Sequence, residues 1–262
     1  MIPILAYHMV SDNFDLSVAR TSTRQFLQQM SWLSKWGYET ISLIDYYRAR
    51  RNKKDAAYYS NKIILTFDDC YDSIDEAASI MDRFGFTATC FIISNFIGEF
   101  NNWDYQLFFR KIKHADIDCL KKLHLKGWEI GSHSCNHYPL TKLKTNILQN
   151  ELVKSKDALS ALFNSEINCI SYPFGLADQR VCKQAHKSGY TVGVGLGNGL
   201  PARGGLVDMC LPRLGVYLFD TLRSFERKVK SFGDIDTHEF KVQKFISSFS
   251  AGTLALKKWR LP

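Results

Sequence analysis

The chain has 262 residues, 45% hydrophobic and 23% charged, enough apolar material for a sizeable core in one or two domains. That balance excludes intrinsic disorder, a collagen-like fibre and a coiled coil. Thirty-four Lys and Arg against 26 Asp and Glu leave a net charge of +8, which suits nucleic acid, anionic lipid or an acidic glycan without selecting one. The seven cysteines, at 70, 90, 119, 135, 169, 182 and 210, form no CxxC pair. That excludes a zinc knuckle or thioredoxin-like site and points to free thiols in a reducing compartment. The opening Met1-Ile2-Pro3-Ile4-Leu5-Ala6-Tyr7-His8 has no basic leader, and no run approaches the roughly 18 apolar residues of a membrane span. A cytoplasmic protein is the expectation.

In chain order, residues 2–6 read as a buried strand. Residues 23–36 read as a helix, with Phe26, Leu27, Met30, Leu33 and Trp36 at helical spacing, Ser22 or Thr23 as N-cap and Gly37 as stop. Strands over 62–67 and 88–94 flank a helix over 75–84 closed by Gly85. A short strand over 129–132, a long helix over 143–163, a strand over 168–172, a helix over 181–188 and a strand over 190–194 continue the rhythm. Repeated βα units predict a parallel sheet, open or closed into a barrel. With no internal repeat or linker, residues 1–262 read as a single domain. Residues 218–262 carry nine Lys or Arg against five Asp or Glu, about half the net charge. They are expected to form a basic C-terminal extension, either a closing helix pair or a peripheral arm.

Functional side chains in βα folds gather where strands end, and three polar clusters stand at such places. Thr66-Phe67-Asp68-Asp69 follows the apolar run Ile63-Ile64-Leu65. Adjacent acids there are costly unless paired or metal-bound, or they cap the next helix. His133-Ser134-Cys135-Asn136-His137 follows Trp128 to Gly131, and histidines four apart can face one ion. Ser171-Tyr172-Pro173-Phe174-Gly175 closes a third strand.

In this order the clusters resemble the polysaccharide deacetylase family, the NodB-homology or carbohydrate esterase 4 enzymes. Thr66 to Asp69 matches the family's TFDD motif, His133 to His137 its H[ST]xxH motif, and Ser171 to Gly175 its RPPYG-like turn. Tyr7-His8, Phe26 through Tyr38, and Leu211-Pro212-Arg213-Leu214 resemble the branch with an N-terminal YH element, which contains the poly-N-acetylglucosamine deacetylases. The resemblance implies an α/β fold, a deformed, seven-stranded NodB-like (β/α) barrel. It implies that Asp69, His133 and His137 hold one divalent metal, zinc first, with iron, cobalt or nickel compatible. Asp68 would be the general base, His8 the acid that protonates the leaving amine, and the Phe174 amide an oxyanion donor. Tyr172, Phe174 and Trp103 are the expected substrate contacts.

Some residues depart from the family pattern. Cys70 replaces the usual Gly, as a buried thiol or a fourth ligand. Ser171 replaces the Arg that usually steadies the base, with Arg213 a candidate for that role. His238 is a rival acid. Other signals have ordinary readings: Gly193 to Gly199 as a loop rather than a phosphate cradle, His114, His124 and His186 as surface or core residues, and Trp103 and Tyr105 as sugar-stacking or packing aromatics. Lys257 to Arg260 reads as a solvated tail or a peripheral contact with a membrane. The expected function is removal of N-acetyl from an N-acetylated sugar in a glycan or glycan precursor, with lipid- or nucleotide-linked saccharides among the expected substrates and no nucleic acid partner. Deformylation, O-deacetylation and a catalytically silent carbohydrate-binding homologue are the alternatives.

Overall fold

The computed structural model describes residues 1–12, 19–101, 112–197 and 206–232. Its strands are β1 (Ile4–Tyr7), β2 (Met9–Val10), β3 (Arg20–Thr21), β4 (Glu39–Thr40), β5 (Lys62–Phe67), β6 (Thr89–Ile92), β7 (Glu129–Ser132), β8 (Cys169–Ser171), β9 (Val192–Val194) and β10 (Leu214–Gly215). The helices are α1 (Thr23–Lys35), α2 (Leu43–Arg51), α3 (Ala56–Tyr59), α4 (Ile74–Asp82), α5 (Ile117–Leu125), α6 (Thr145–Phe163), α7 (Gln179–Lys187) and α8 (Leu222–Lys230).

Seven strands run in the order β10-β1-β5-β6-β7-β8-β9, every pair parallel. Leu211 bridges Val194 while Leu214 pairs with Leu5, so residues 211–215 span from β9 to β1 and curl the sheet into a deformed barrel. Successive strand residues face opposite sides, and the core divides accordingly. Ile4, Ile64, Phe91, Cys169, Val192, Val194 and Leu211 fill the interior, with Leu43 and Tyr46 of α2 closing its lower end. Leu5, Tyr7, Leu65, Phe67, Cys90, Ile92, Ile130, Ile170 and Tyr172 face out against Phe26, Leu33, Leu123, Leu152 and Phe225 of the helices. Each such buried side chain contributes roughly 1.5–3 kcal/mol. Gly131 makes room for the Phe91 ring: a Cβ there would come within 2.6 Å of it.

Local signals explain the helix starts. Ser22 caps α1 in a capping box with Gln25. Ser42 caps α2, whose first two amides also donate to the Glu129 carboxyl at the base of β7. The strand expected over 2–6 lies at Ile4–Tyr7, and the helix expected over 181–188 begins earlier, after the N-cap Asp178. The basic segment expected to extend from 218 is, up to residue 232, part of the barrel's helical layer. There α8 packs against α1 and buries Phe225 and Val229. Six cysteines are buried, Cys119 is half-buried, and none is in a disulfide. Among the described residues no helix is long and apolar enough to cross a membrane.

Candidate active site

The inward alternation of the strands delivers the site. Thr66 and Asp68 are the next inward positions after Ile64, Ser171 follows Cys169, and Arg213 follows Leu211. His8 and His133 stand one residue beyond β1 and β7. Tyr7 pairs with Phe67, and the Asp68 amide donates to Tyr7 O at 2.9 Å, so His8 and Asp68 leave neighbouring strands side by side.

Asp69 Oδ1 lies 3.5 Å from His133 Nε2 and 3.4 Å from His137 Nε2, and all three residues are buried. Donors about 2.0–2.1 Å from a tetrahedral ion stand about 3.3 Å apart, so this set fits a divalent ion. His133 Nδ1 donates to Ser171 O at 2.7 Å, which leaves the Nε2 lone pair for the ion. Burial pushes the His133 imidazole down to about 4, against the pull of Asp68. Burial and the neighbouring His133 push His137 well below its usual value. Both rings are neutral near pH 7, as ligands must be.

Asp68 is held from one side by a fully buried arginine. Arg213 Nη1 donates to Asp68 Oδ1 at 2.8 Å and Nη2 to Asp68 Oδ2 at 2.7 Å. The other donors reach Thr66 Oγ1 at 2.8 Å, Ser171 Oγ at 2.7 Å and Gly195 O at 3.0 Å, which uses all five guanidinium N–H groups. Ser171 Oγ in turn donates to Asp68 Oδ2 at 3.0 Å. Burial alone raises the Asp68 carboxyl, but the charge and hydrogen bonds of Arg213, with His133 and His8, hold it well below the usual carboxylate range. Arg213, just before β10, thus reaches the Asp68 carboxylate from the segment that closes the barrel, and Ser171 hydrogen-bonds both partners.

The loops that carry these groups are strained. Asp69, Cys70, Ser134, His137 and Phe174 adopt φ between 48° and 65°, five of the seven such non-glycine residues described, at a cost of roughly 1–3 kcal/mol each. The half-buried Phe174 ring stands 4.6 Å from His137. Gly175 is at φ 67°, where a Cβ would meet Leu196 Cβ at 2.5 Å.

Other expectations resolve as follows. Cys70 donates its thiol toward Phe91 O at 3.4 Å within the core and stands outside the ligand set; burial raises its thiol well above the ordinary value. Tyr172 as a substrate contact is corrected: it is an outward position, fully buried, and its hydroxyl donates to Met209 O at 2.6 Å. Gly193 lies within β9. Trp103, Tyr105, His238 and Lys257 to Arg260 lie outside the described residues. His114, ordinary in sequence, is buried beside the site, stacks on Tyr71 and donates from Nδ1 to Asp69 O at 2.7 Å. Nothing in its sequence context signals that, because the contact bridges 45 residues.

The polysaccharide deacetylase family model matches residues 56–193, just over half the chain. YxkH of Bacillus subtilis (strain 168), which carries a polysaccharide deacetylase name, is 29% identical over 74% of this chain and 63% of its own length. The poly-beta-1,6-N-acetyl-D-glucosamine N-deacetylase of Staphylococcus aureus (strain MRSA252) is 25% identical over 72% of this chain and 65% of its own. The chain thus spans slightly under two thirds of the length of these relatives. Among solved structures, the Streptococcus pyogenes deacetylase PplD in complex with acetate superposes with a TM-score of 0.74 at 22% identity. That match covers 87% of this chain and 98% of PplD and bears on the fold. On the match of the family model, and with the barrel and its motif residues as described, the chain belongs to the polysaccharide deacetylase family.

Proposed function

We propose that the protein is a metal-dependent hydrolase that removes acetyl from the nitrogen of an N-acetylated saccharide. The observation that carries this reading is the juxtaposition of a buried Asp-His-His donor set with a carboxylate clamped by Arg213. Asp69, His133 and His137 would hold the ion, and two imidazoles with one carboxylate favour zinc. When bound, such an ion polarises the acetyl carbonyl and acidifies water.

The chain's own groups supply the remaining steps. Asp68 has about four lone-pair sites, and Arg213 and Ser171 occupy three. The site left on Oδ1 accepts the proton of the attacking water. Arg213 keeps Asp68 ionised throughout the neutral range, so its protonation state does not limit the reaction. His8, at the end of the neighbouring strand, donates to the leaving nitrogen. The Phe174 amide, in the turn beside His137, faces the oxyanion, and the Phe174 ring and Trp103 contact the sugar. The basic composition of 218–262 supports an anionic carrier, a lipid- or nucleotide-linked saccharide, and a membrane contact through the tail.

The test is acetate release from a panel of N-acetylhexosamine oligomers and lipid-linked donors, before and after chelation and metal restoration. Acetate that disappears on chelation and returns with zinc supports the reading. Acetate released equally in the chelated protein, or absent across the panel after zinc loading, rejects it.

A further inference from the structure

The segment 132–137, which carries both histidine ligands, places Ser134 and His137 in the left-handed region, and every backbone amide from His133 to His137 has an acceptor. The His133 amide donates to Ile92 O at 2.8 Å, Ser134 N to Ser132 Oγ at 3.1 Å and His137 N to Ser134 Oγ at 3.1 Å. The two amides between them, Cys135 N at 3.1 Å and Asn136 N at 2.9 Å, both donate to one carboxylate oxygen of Glu151. The other oxygen takes the Asn136 side-chain amide.

Glu151 is on α6, outside the barrel, and 5% exposed. Among the described residues it forms no ion pair with Lys, Arg or His within 4.0 Å. A buried carboxylate without a cation is costly, and a leucine would serve packing better on this face, beside Leu148, Leu152 and Leu159. The charge is instead spent on two consecutive amides following a left-handed residue, the arrangement that makes an anion-binding concavity. One turn further along α6, Ser155 Oγ donates to Ser134 O at 3.1 Å and shares a hydrogen bond with Ser132 Oγ at 2.8 Å. Residues four apart on a helix face the same way, so both reach the loop together.

We propose that Glu151 and Ser155 are positioning residues that hold the loop in the one conformation that aims His133 and His137 at a shared ion. The inference rests on the reading of Asp69, His133 and His137 as metal ligands. Outer partners that orient ligands typically govern metal affinity by 10- to 100-fold, and a clamp on the ligand loop acts in the same way.

The experiment measures zinc affinity of the metal-free full chain by competition with a chromophoric chelator, alongside Tm. Glu151→Gln and Ser155→Ala are compared with Leu159→Ala, a packing change on the same helix that leaves the loop's hydrogen bonds intact. Glu151→Gln should weaken zinc binding about 10- to 100-fold, and Ser155→Ala should weaken it in the same direction. Leu159→Ala should lower Tm by about 5–10 °C while its zinc affinity stays within twofold of wild type. If Glu151→Gln does not fold, Ser155→Ala carries the test. Zinc affinities unchanged in both loop variants, whatever their Tm, would overturn the inference and leave the ligand assignment standing. Failure of the wild-type chain to bind zinc would overturn the ligand assignment itself.

Discussion

In the proposed role of general base Asp68 meets two opposing demands, because it must accept a proton while Arg213 holds it ionised. The clamp resolves this by orientation, since five saturated guanidinium donors permit one placement of the carboxylate. Replacing Arg213 by methionine strands a buried charge, which costs about 3–5 kcal/mol and lowers Tm by about 10 °C. It also removes the interaction that lowers the Asp68 carboxyl, so Asp68 protonates at higher pH. The acid limb of the kcat/KM profile should therefore move upward in Arg213→Met; an unmoved limb would detach Asp68 from the rate. His8→Ala should keep metal and KM but lose on the order of 10²-fold or more in kcat, because an amine leaves poorly without a proton. Steady-state kinetics on an N-acetylated oligomer check this, and a near-normal kcat would move the acid elsewhere.

At the scale of elements, much of the site could be read in the strands. The apolar runs at 62–67 and 129–132 mark strands at their observed bounds, while the run at 190–194 contains the shorter β9, Val192–Val194. The polar clusters that follow β5, β7 and β8 stand at the barrel mouth. Period-two alternation carries further information: counting inward from Ile64 reaches Thr66 and Asp68, and counting from Cys169 reaches Ser171 and leaves Tyr172 facing the helices. Arg213 was legible by the same count from Leu211, but its partner choice depends on barrel closure, which strand patterns do not encode. Helices α2 and α5 were missed because their apolar positions are sparse: α2 buries Leu43, Tyr46 and Ala49 among three arginines, and α5 buries Leu120 and Leu123. Their N-caps, Ser42 and Asp116, were the available signal. The turn after β8 tolerates no Cβ at Gly175. Gly175→Ala should therefore destabilise the protein by about 1–3 kcal/mol and displace Phe174, raising KM, as melting and kinetics would show; an unchanged Tm would count against the strained turn.

For the molecule as a whole, the buried site couples stability to pH. His133, His137 and Asp68 all bind protons less readily when folded than when unfolded, so stability rises with pH through their titration range. The histidine contribution is complete above their ordinary value near 6.5 and is lost as pH falls toward 4, with Asp68 adding to the loss at lower pH. Melting of the metal-free protein should give a flat Tm above pH 7 and a falling Tm from pH 6.5 to 4.5; a constant Tm across that range would contradict neutral buried imidazoles.

The central claim, that this barrel mouth hydrolyses an N-acetyl group with Asp68 as base, is tested most directly by acetate release from N-acetylglucosamine oligomers by zinc-loaded wild type and Asp68→Asn. The account predicts multiple turnovers by wild type, and an Asp68→Asn protein that retains its zinc and fold but releases acetate on the order of 10²-fold more slowly. Equal rates in the two proteins, or no acetate from the zinc-loaded wild type, would contradict it.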